Sequence, residues 1–403
     1  MEIGIIGGGA SGMAAAIAAA QSPGSRITVL ERQAKVGRKL LATGNGRCNL
    51  TNRGVAPAHY HGEQPDFVRP ALEKFPVEDT LAWFRSLGLC VTAEPGGKIY
   101  PYSDQANSVV DVLRFALQRE EITLRTGCEV TAVRKLPAYF QVCAGAELLS
   151  FDRLVVCCGG PAGSKLGGTS AGIELLKSLG HRSTPLRPSL VQLKSSFSGC
   201  AALKGVRANC RIRLLRDGAM QRENEGEIQF AQFGISGPVV FEISRDACRG
   251  GHWTAELDFL PQMDESAVFS LLCERKSVPL TASDLLTGVV HNRLGRVIVS
   301  CAQLSGGAPI SSLRSEDLRR VARLCKRLSL ELTGPLGFDA AQVTAGGIQT
   351  AQFCPETMES RLVPGLFACG EVLDIDGDCG GYNLQWAWSS GRLAGQSAGR
   401  ARP

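Results

Sequence analysis

"EIGIIGGGASGMAAAIAAAQSPGSRITVLE", residues 2–31, decides the fold. Residues 2–6 read as a buried apolar strand, 10–21 as an alanine-rich helix and 26–30 as a second strand, together a βαβ unit. Gly7-x-Gly9-x-x-Gly12 lies between the first strand and the helix. The first glycine allows a tight turn, the second lets backbone approach a pyrophosphate, and the third lets helix pack on strand. Ala10 and Ser11 sit between them, where helix N–H groups face the phosphates. Glu31 ends the second strand 19 residues beyond Gly12, in place to accept both hydroxyls of a ribose, with Arg32 beside it. A glycine-rich turn with a solvated acid explains neither the spacing nor the order of elements. The stretch predicts a dinucleotide site.

The choice of dinucleotide follows from the rest of the chain. An NAD enzyme needs a separate substrate domain, whereas FAD lies extended across its own domain and requires further glycine contacts. Two more glycine-rich segments supply them. "LVVCCGG" (154–160) is an apolar strand ending in Gly159 and Gly160. "CGEVLDIDGDCGGYNLQWAWSSGRLAG" (369–395) reads as a strand end with Gly370 and Glu371, a glycine loop, and a helix starting near Asn383. An N–H-rich helix start at Gly381, Tyr382, Asn383 and Leu384 suits the N1–C2=O edge of a flavin, where reduction places negative charge. No second G-x-G-x-x-G follows a strand, so NAD(P)H is expected, if at all, only as a transient reductant.

With 403 residues the chain should form two or three domains, and 44% hydrophobic residues provide a sizeable core. The glycine-rich texture of the start returns after about 340. The predicted organisation is an FAD-binding domain over 1–190, an inserted β-rich and helical domain over 191–340, and the remainder of the FAD-binding domain over 341–403. Within the insertion, Asp217-Gly218 between alternating segments signals a hairpin, and helices are expected over 264–275, 292–303 and 315–327.

"GRKLLATGNGRCNLTN" (37–52) has three glycines, three asparagines and three basic residues, a loop that is costly to order without something to hold. Here a resemblance adds detail. "KVGRKLLATGNGRCNLTN" (35–52), "FGISGP" (233–238) and residues 358–395 resemble the aminoacetone-oxidase family of FAD-dependent oxidoreductases, which includes bile-acid-inducible flavoproteins. The resemblance covers nearly the whole chain, most weakly over 190–330. It implies a glutathione-reductase-type α/β Rossmann FAD-binding fold with an inserted β-rich domain and a small helical part. It also implies that the 37–52 loop runs along the FAD. Lys39 and Leu40 would lie near adenosine and pyrophosphate, and Asn45, Gly46, Arg47, Cys48 and Asn49 would flank the ring. Arg47 would supply donors to the cofactor, and Val130 is a further expected contact. "GGPAGSKLGGTSAG" (159–172) departs from the family's aromatic–proline step, so the substrate does not carry over.

The formal charge is +6 and the pI about 8.6, with one basic cluster, "LRRVARLCKRLS" (318–329). This excess fits an anionic cofactor as well as nucleic acid, and no basic–aromatic surface pattern accompanies it. Fifteen scattered cysteines without C-x-x-C spacing argue for free thiols, and against a redox disulfide between Cys48 and Cys379 or a metal site. The N-terminus reads as an opening strand and no apolar run reaches membrane-span length, so a soluble cytoplasmic protein is expected. Among the histidines, His59 and His61 share a face only in a strand, and a polar loop is expected there. The sequence names no general base. The leading expectation is an FAD-dependent oxidoreductase with a small-molecule substrate: an amine oxidase or dehydrogenase, or a reductase of an unsaturated compound. The alternatives are a flavin-dependent tRNA-modifying enzyme and an FAD-binding protein without turnover. The oligomeric state is not legible.

Overall fold

A computed structural model describes residues 1–400. The chain forms two compact units, one of Met1–Pro188 together with the chain from Ala341 onward, the other of Ser189–Ala340. Each is described in turn.

In the first unit, β1 (Glu2–Ile6) leads into α1 (Ala10–Ala19) and β2 (Arg26–Glu31). A five-stranded sheet has the order Leu366–Ala368, Arg153–Val156, β1, β2, Ile122–Thr126, with every neighbouring pair parallel. Its central strands are mostly apolar because both faces are covered; Ile3, Ile5 and Val155 are fully buried. The run 122–136 divides between two sheets. Ile122–Thr126 closes the parallel sheet, and Val130–Lys135 joins an antiparallel three-stranded sheet with Phe140–Ala144 and Glu147–Phe151.

The alanines of α1 have a packing reason. Ala14, Ala15, Ala16 and Ala19 are fully buried, so this helix is enclosed on every side. It lies against the last helix, Tyr382–Gly399, at backbone distance. A Cβ on Gly391 would stand 2.4 Å from the Ser11 carbonyl oxygen, and one on Gly395 2.2 Å from that of Ala15. Two glycines one turn apart thus let the helices touch, and fix where the last helix begins.

The second unit is built on a closed six-stranded barrel, order Leu193–Ser195, Gly234–Ser236, Ala219–Ala231, Arg207–Arg216, Trp253–Asp258, Leu328–Pro335. Closure leaves no free sheet edge. Asp217 and Gly218, at φ 51° and 85°, make the expected two-residue hairpin turn. Cys210, Ile212 and Leu214 point inward and are fully buried. The intervening Arg211 and Arg213 pair outside with Glu225 and Glu223. Helices Glu265–Glu274, Asn292–Cys301 and Ser315–Lys326 occupy the expected stretches.

Candidate functional site

The three glycine-rich segments meet because their strands are neighbours. β1, Arg153–Val156 and Leu366–Ala368 are adjacent and parallel, so Gly7–Gly12, Cys157–Gly160 and Gly370 leave the same edge of the sheet. In open parallel sheets that carboxyl edge is where ligands bind. Gly12 is required by contact, since a Cβ there would stand 1.9 Å from the Gly7 carbonyl oxygen. α1 starts at Gly9 with no side-chain cap and no acid in its first turn, and a Cβ on Gly9 would meet open space. Its first N–H groups therefore face outward, ready for an anion.

Glu31 lies next to that helix start. Its carboxylate accepts from Gly8 N–H at 2.7 Å and Gln33 N–H at 2.6 Å, which fixes its direction and leaves lone pairs for hydroxyl donors. Cys128 N–H donates to the Glu31 carbonyl at 2.8 Å, bringing the start of the Val130 strand to the same corner. Val130 itself is buried in the antiparallel sheet. Arg32 donates to the Gly167 carbonyl at 3.2 Å. Lys39 pairs with Glu371 at 2.9 Å across 332 residues of sequence. Glu371 also accepts from Thr344 N–H at 2.8 Å, and a Cβ on Gly160 would stand 2.4 Å from the Thr344 hydroxyl oxygen. Thr344, which the sequence did not single out, links these two glycine segments.

The 37–52 stretch is more ordered than a loop. Leu40–Gly46 forms tight helical turns broken at Thr43, Gly44 and Asn45, and Asn45 and Cys48 hold left-handed φ values of 57° and 62°. Leu40 and Cys48 are buried beneath it. Burial pushes the Cys48 thiol up to about 12, which disfavours its thiolate. Arg47, expected to supply donors to the cofactor, pairs with Asp104 and, at 2.5 Å, with Glu94, and lies 4.1 Å over the Tyr100 ring. Two acids and a π face already satisfy it, so it stiffens the loop. Asn49 is the opposite case. It is buried, its side-chain oxygen has no partner, and that atom lies 3.0 Å from where a Gly381 Cβ would be.

Gly381, at φ 104°, precedes the last helix, which begins at Tyr382. The Asn383 side chain accepts from Gly377 N–H at 2.8 Å and donates to the Gly377 carbonyl at 2.8 Å, shaping the loop in front of the helix. Only its backbone N–H, like that of Leu384, is in the outward-facing first turn. Gln385 is fully buried and ties the helix to Thr51 at 2.6 Å and Thr80 at 2.8 Å. Trp386 and Trp388 pack in the core and donate to the carbonyls of Gly370 and Leu50.

A group absent from the sequence reading stands at this helix start. His59 Nδ1 is 3.0 Å from Asp378 Oδ2, and His61 Nε2 is 2.7 Å from Oδ1 of the same carboxylate. The His59 ring stacks on Tyr382 with centroids 4.4 Å apart. His59 closes a short helical turn and His61 belongs to a two-residue strand paired with Asp376–Gly377, in place of the expected loop. The separation of 317 positions between His61 and Asp378 hides the cluster from any local pattern.

Residues 1–397 match the profile described as the HI0933-like protein Rossmann domain. The chain belongs to that family. Among similar proteins, the 3-dehydro-bile acid delta(4,6)-reductase of Clostridium scindens is 42% identical over 98% of both chains. The ribosomal RNA dihydrouridine synthase of Escherichia coli is 32% identical over 96% of this chain and 95% of its own. Among solved structures, the 3-ketosteroid delta1-dehydrogenase of Sterolibacterium denitrificans superposes with a TM-score of 0.51 at 12% identity, covering 98% of this chain and 99% of that one. E. coli quinol fumarate reductase gives 0.50 at 18% identity, covering 99% and 70%. These two share the fold.

The residues present fit the family's FAD. An uncapped helix start faces open space, an oriented acid stands beside it, and a buried amide oxygen lacks a partner at the other helix start. This HI0933-like protein is an FAD-dependent oxidoreductase with a Rossmann FAD-binding domain. Among the described residues no helix is long and apolar enough to cross a membrane.

Proposed function

We propose that the protein reduces a carbon–carbon double bond conjugated to a carbonyl in a small, largely apolar substrate of the 3-oxo-Δ4,6 bile acid kind. The observation that carries this reading is the 42% identity, over 98% of both chains, to a reductase of such a compound. When bound, FAD supplies a hydride donor and acceptor, and NAD(P)H serves at most as a transient reductant. The chain's own part is to hold and to orient. Gly7, Gly9, Ala10, Ser11 and Gly12 would present the α1 N–H groups to the pyrophosphate, with Glu31 and Arg32 beside the adenosine ribose. Lys39, Leu40, Val130, Gly159, Gly160, Gly370 and Glu371 would line the length of the cofactor. Asn45, Gly46, Asn49, Gly381, Tyr382, Asn383 and Leu384 would surround the ring, and Cys48, expected there too, lies buried beneath them. Arg47 supports this set from behind, held by Glu94 and Asp104.

A second reading, hydrogenation of uridine in ribosomal RNA, draws on the relative at 32% identity. The surface feature that favoured RNA weakens on inspection. In the basic helix Ser315–Lys326 and the residue after it, Arg320 pairs with Asp317, Arg323 with Glu265, Lys326 with Asp258 and Arg327 with Glu256. Arg319 lies over Phe269. Charges neutralised at home release few counterions on a phosphate backbone. The test is to photoreduce the FAD-loaded enzyme without oxygen and add either a 3-oxo-4,6-diene bile acid or an rRNA fragment. Rapid return of the yellow oxidised spectrum with the dienone, and not with its saturated analogue, is the expected result. Reoxidation by RNA alone would replace the first reading with the second.

A further inference from the structure

Hydride addition to a conjugated double bond is half of a reduction. One π bond breaks, one carbon gains a hydride with its electron pair, and the neighbouring carbon, now electron-rich, needs a proton. Resting on the reductase reading, we infer that His59 delivers that proton and that Asp378 and His61 position it.

The geometry selects these roles. Asp378 is held from several sides. Its N–H donates to the His59 carbonyl at 3.0 Å, its own carbonyl accepts from the Asn383 side chain at 3.3 Å, and Gly377 before it is clamped by Asn383. A carboxylate only accepts, so the ring nitrogen facing it carries hydrogen: Nδ1 in His59 and Nε2 in His61. The opposite nitrogens, His59 Nε2 and His61 Nδ1, are left to exchange a proton. His59 is the more open, with 37% side-chain exposure against 24% for His61 and 17% for Asp378. Stacking on Tyr382 places it beside the first residue of the last helix. Tyr60 donates to the Tyr382 carbonyl at 3.0 Å, and burial holds its phenol neutral. Asp376, opposite His61 in the short ladder, is the other acid facing the cluster. In the step, the doubly protonated His59 ring gives its Nε2 proton to carbon, is left neutral with hydrogen on Nδ1, and takes up one net proton from bulk solvent before the next turnover.

A cluster that merely pinned residues 59–61 to 376–378 would leave rates alone once the protein folds. His59→Gln and Asp378→Asn are therefore compared with wild type for FAD content, photoreduction and reoxidation by whichever of the dienone and the rRNA fragment oxidises the wild-type enzyme. Both variants should load and photoreduce normally, while reoxidation by the acceptor falls by about 10²–10⁴-fold in His59→Gln, the usual worth of a positioned acid. Added imidazole should restore part of that loss. Nitrogen NMR of wild type, with and without FAD, should show hydrogen on Nδ1 of His59 and on Nε2 of His61, with the His59 preference lost in Asp378→Asn. Reoxidation of His59→Gln at the wild-type rate, or a His59 ring carrying hydrogen on Nε2 alone, overturns the inference. If neither acceptor oxidises the wild-type enzyme, the reductase reading fails separately, and the His59 tautomer decides this one.

Discussion

Two helix starts frame the cofactor site, and they are made differently. α1 begins at Gly9 after a turn whose parts, Gly7 to Glu31, lie close together in the chain, and no side chain caps its open end. The last helix begins at Gly381 in crowded surroundings: a Cβ there would stand 2.5 Å from the Thr51 carbonyl oxygen, and Asn49, His59, His61 and Asp378 all lie nearby. A phosphate asks only for N–H groups and a positive dipole end, which one short local motif supplies. A reacting ring asks for side chains of set direction, which must come from several segments. On the proposed reading the first start binds and the second does chemistry.

The comparison breaks most visibly at Gly12. Gly12→Val puts carbon against the Gly7 carbonyl, where no flexible side chain can give way. Overpacking of this kind costs about 1–3 kcal/mol or more. The protein should purify colourless, with a lowered melting temperature; a yellow, stable variant would show that α1 tolerates a shift.

Glu31→Ala tests the same local site more gently. It removes the acceptor of the Gly8 and Gln33 N–H groups together with the expected ribose bonds. FAD affinity by calorimetry should weaken by about 1–3 kcal/mol, the usual cost of such bonds left unmade. Unchanged affinity would place the ribose elsewhere.

The smallest effect belongs to the second helix start. Leu384→Pro deletes one first-turn N–H at a position where proline is tolerated. FAD should still bind, because α1 is untouched, but a helix start contributes about 0.3–2 kcal/mol to a nearby negative charge. About 1.4 kcal/mol corresponds to about 30 mV for two electrons, so the reduction potential should fall by tens of millivolts. If a folded, FAD-loaded variant kept its potential, Asn49 would be the next group to replace. Arg47 is a poor candidate, since Glu94 and Asp104 already neutralise it.

The sequence alone determined whatever rests on short-range geometry: the βαβ unit with Gly7, Gly9, Gly12 and Glu31, the Asp217-Gly218 hairpin, and the last helix behind its glycine loop. Each is encoded within about thirty residues, where turn sterics and apolar period act directly. It could not supply the partners of Arg47, because a basic residue in a cofactor loop looks the same whether it meets an anion or two carboxylates. Only the tertiary structure decided that question, paired Lys39 with Glu371, and brought His59 and His61 onto Asp378. A charge is directed by whatever lies within a few ångströms of it, and here those neighbours arrive from the far end of the chain.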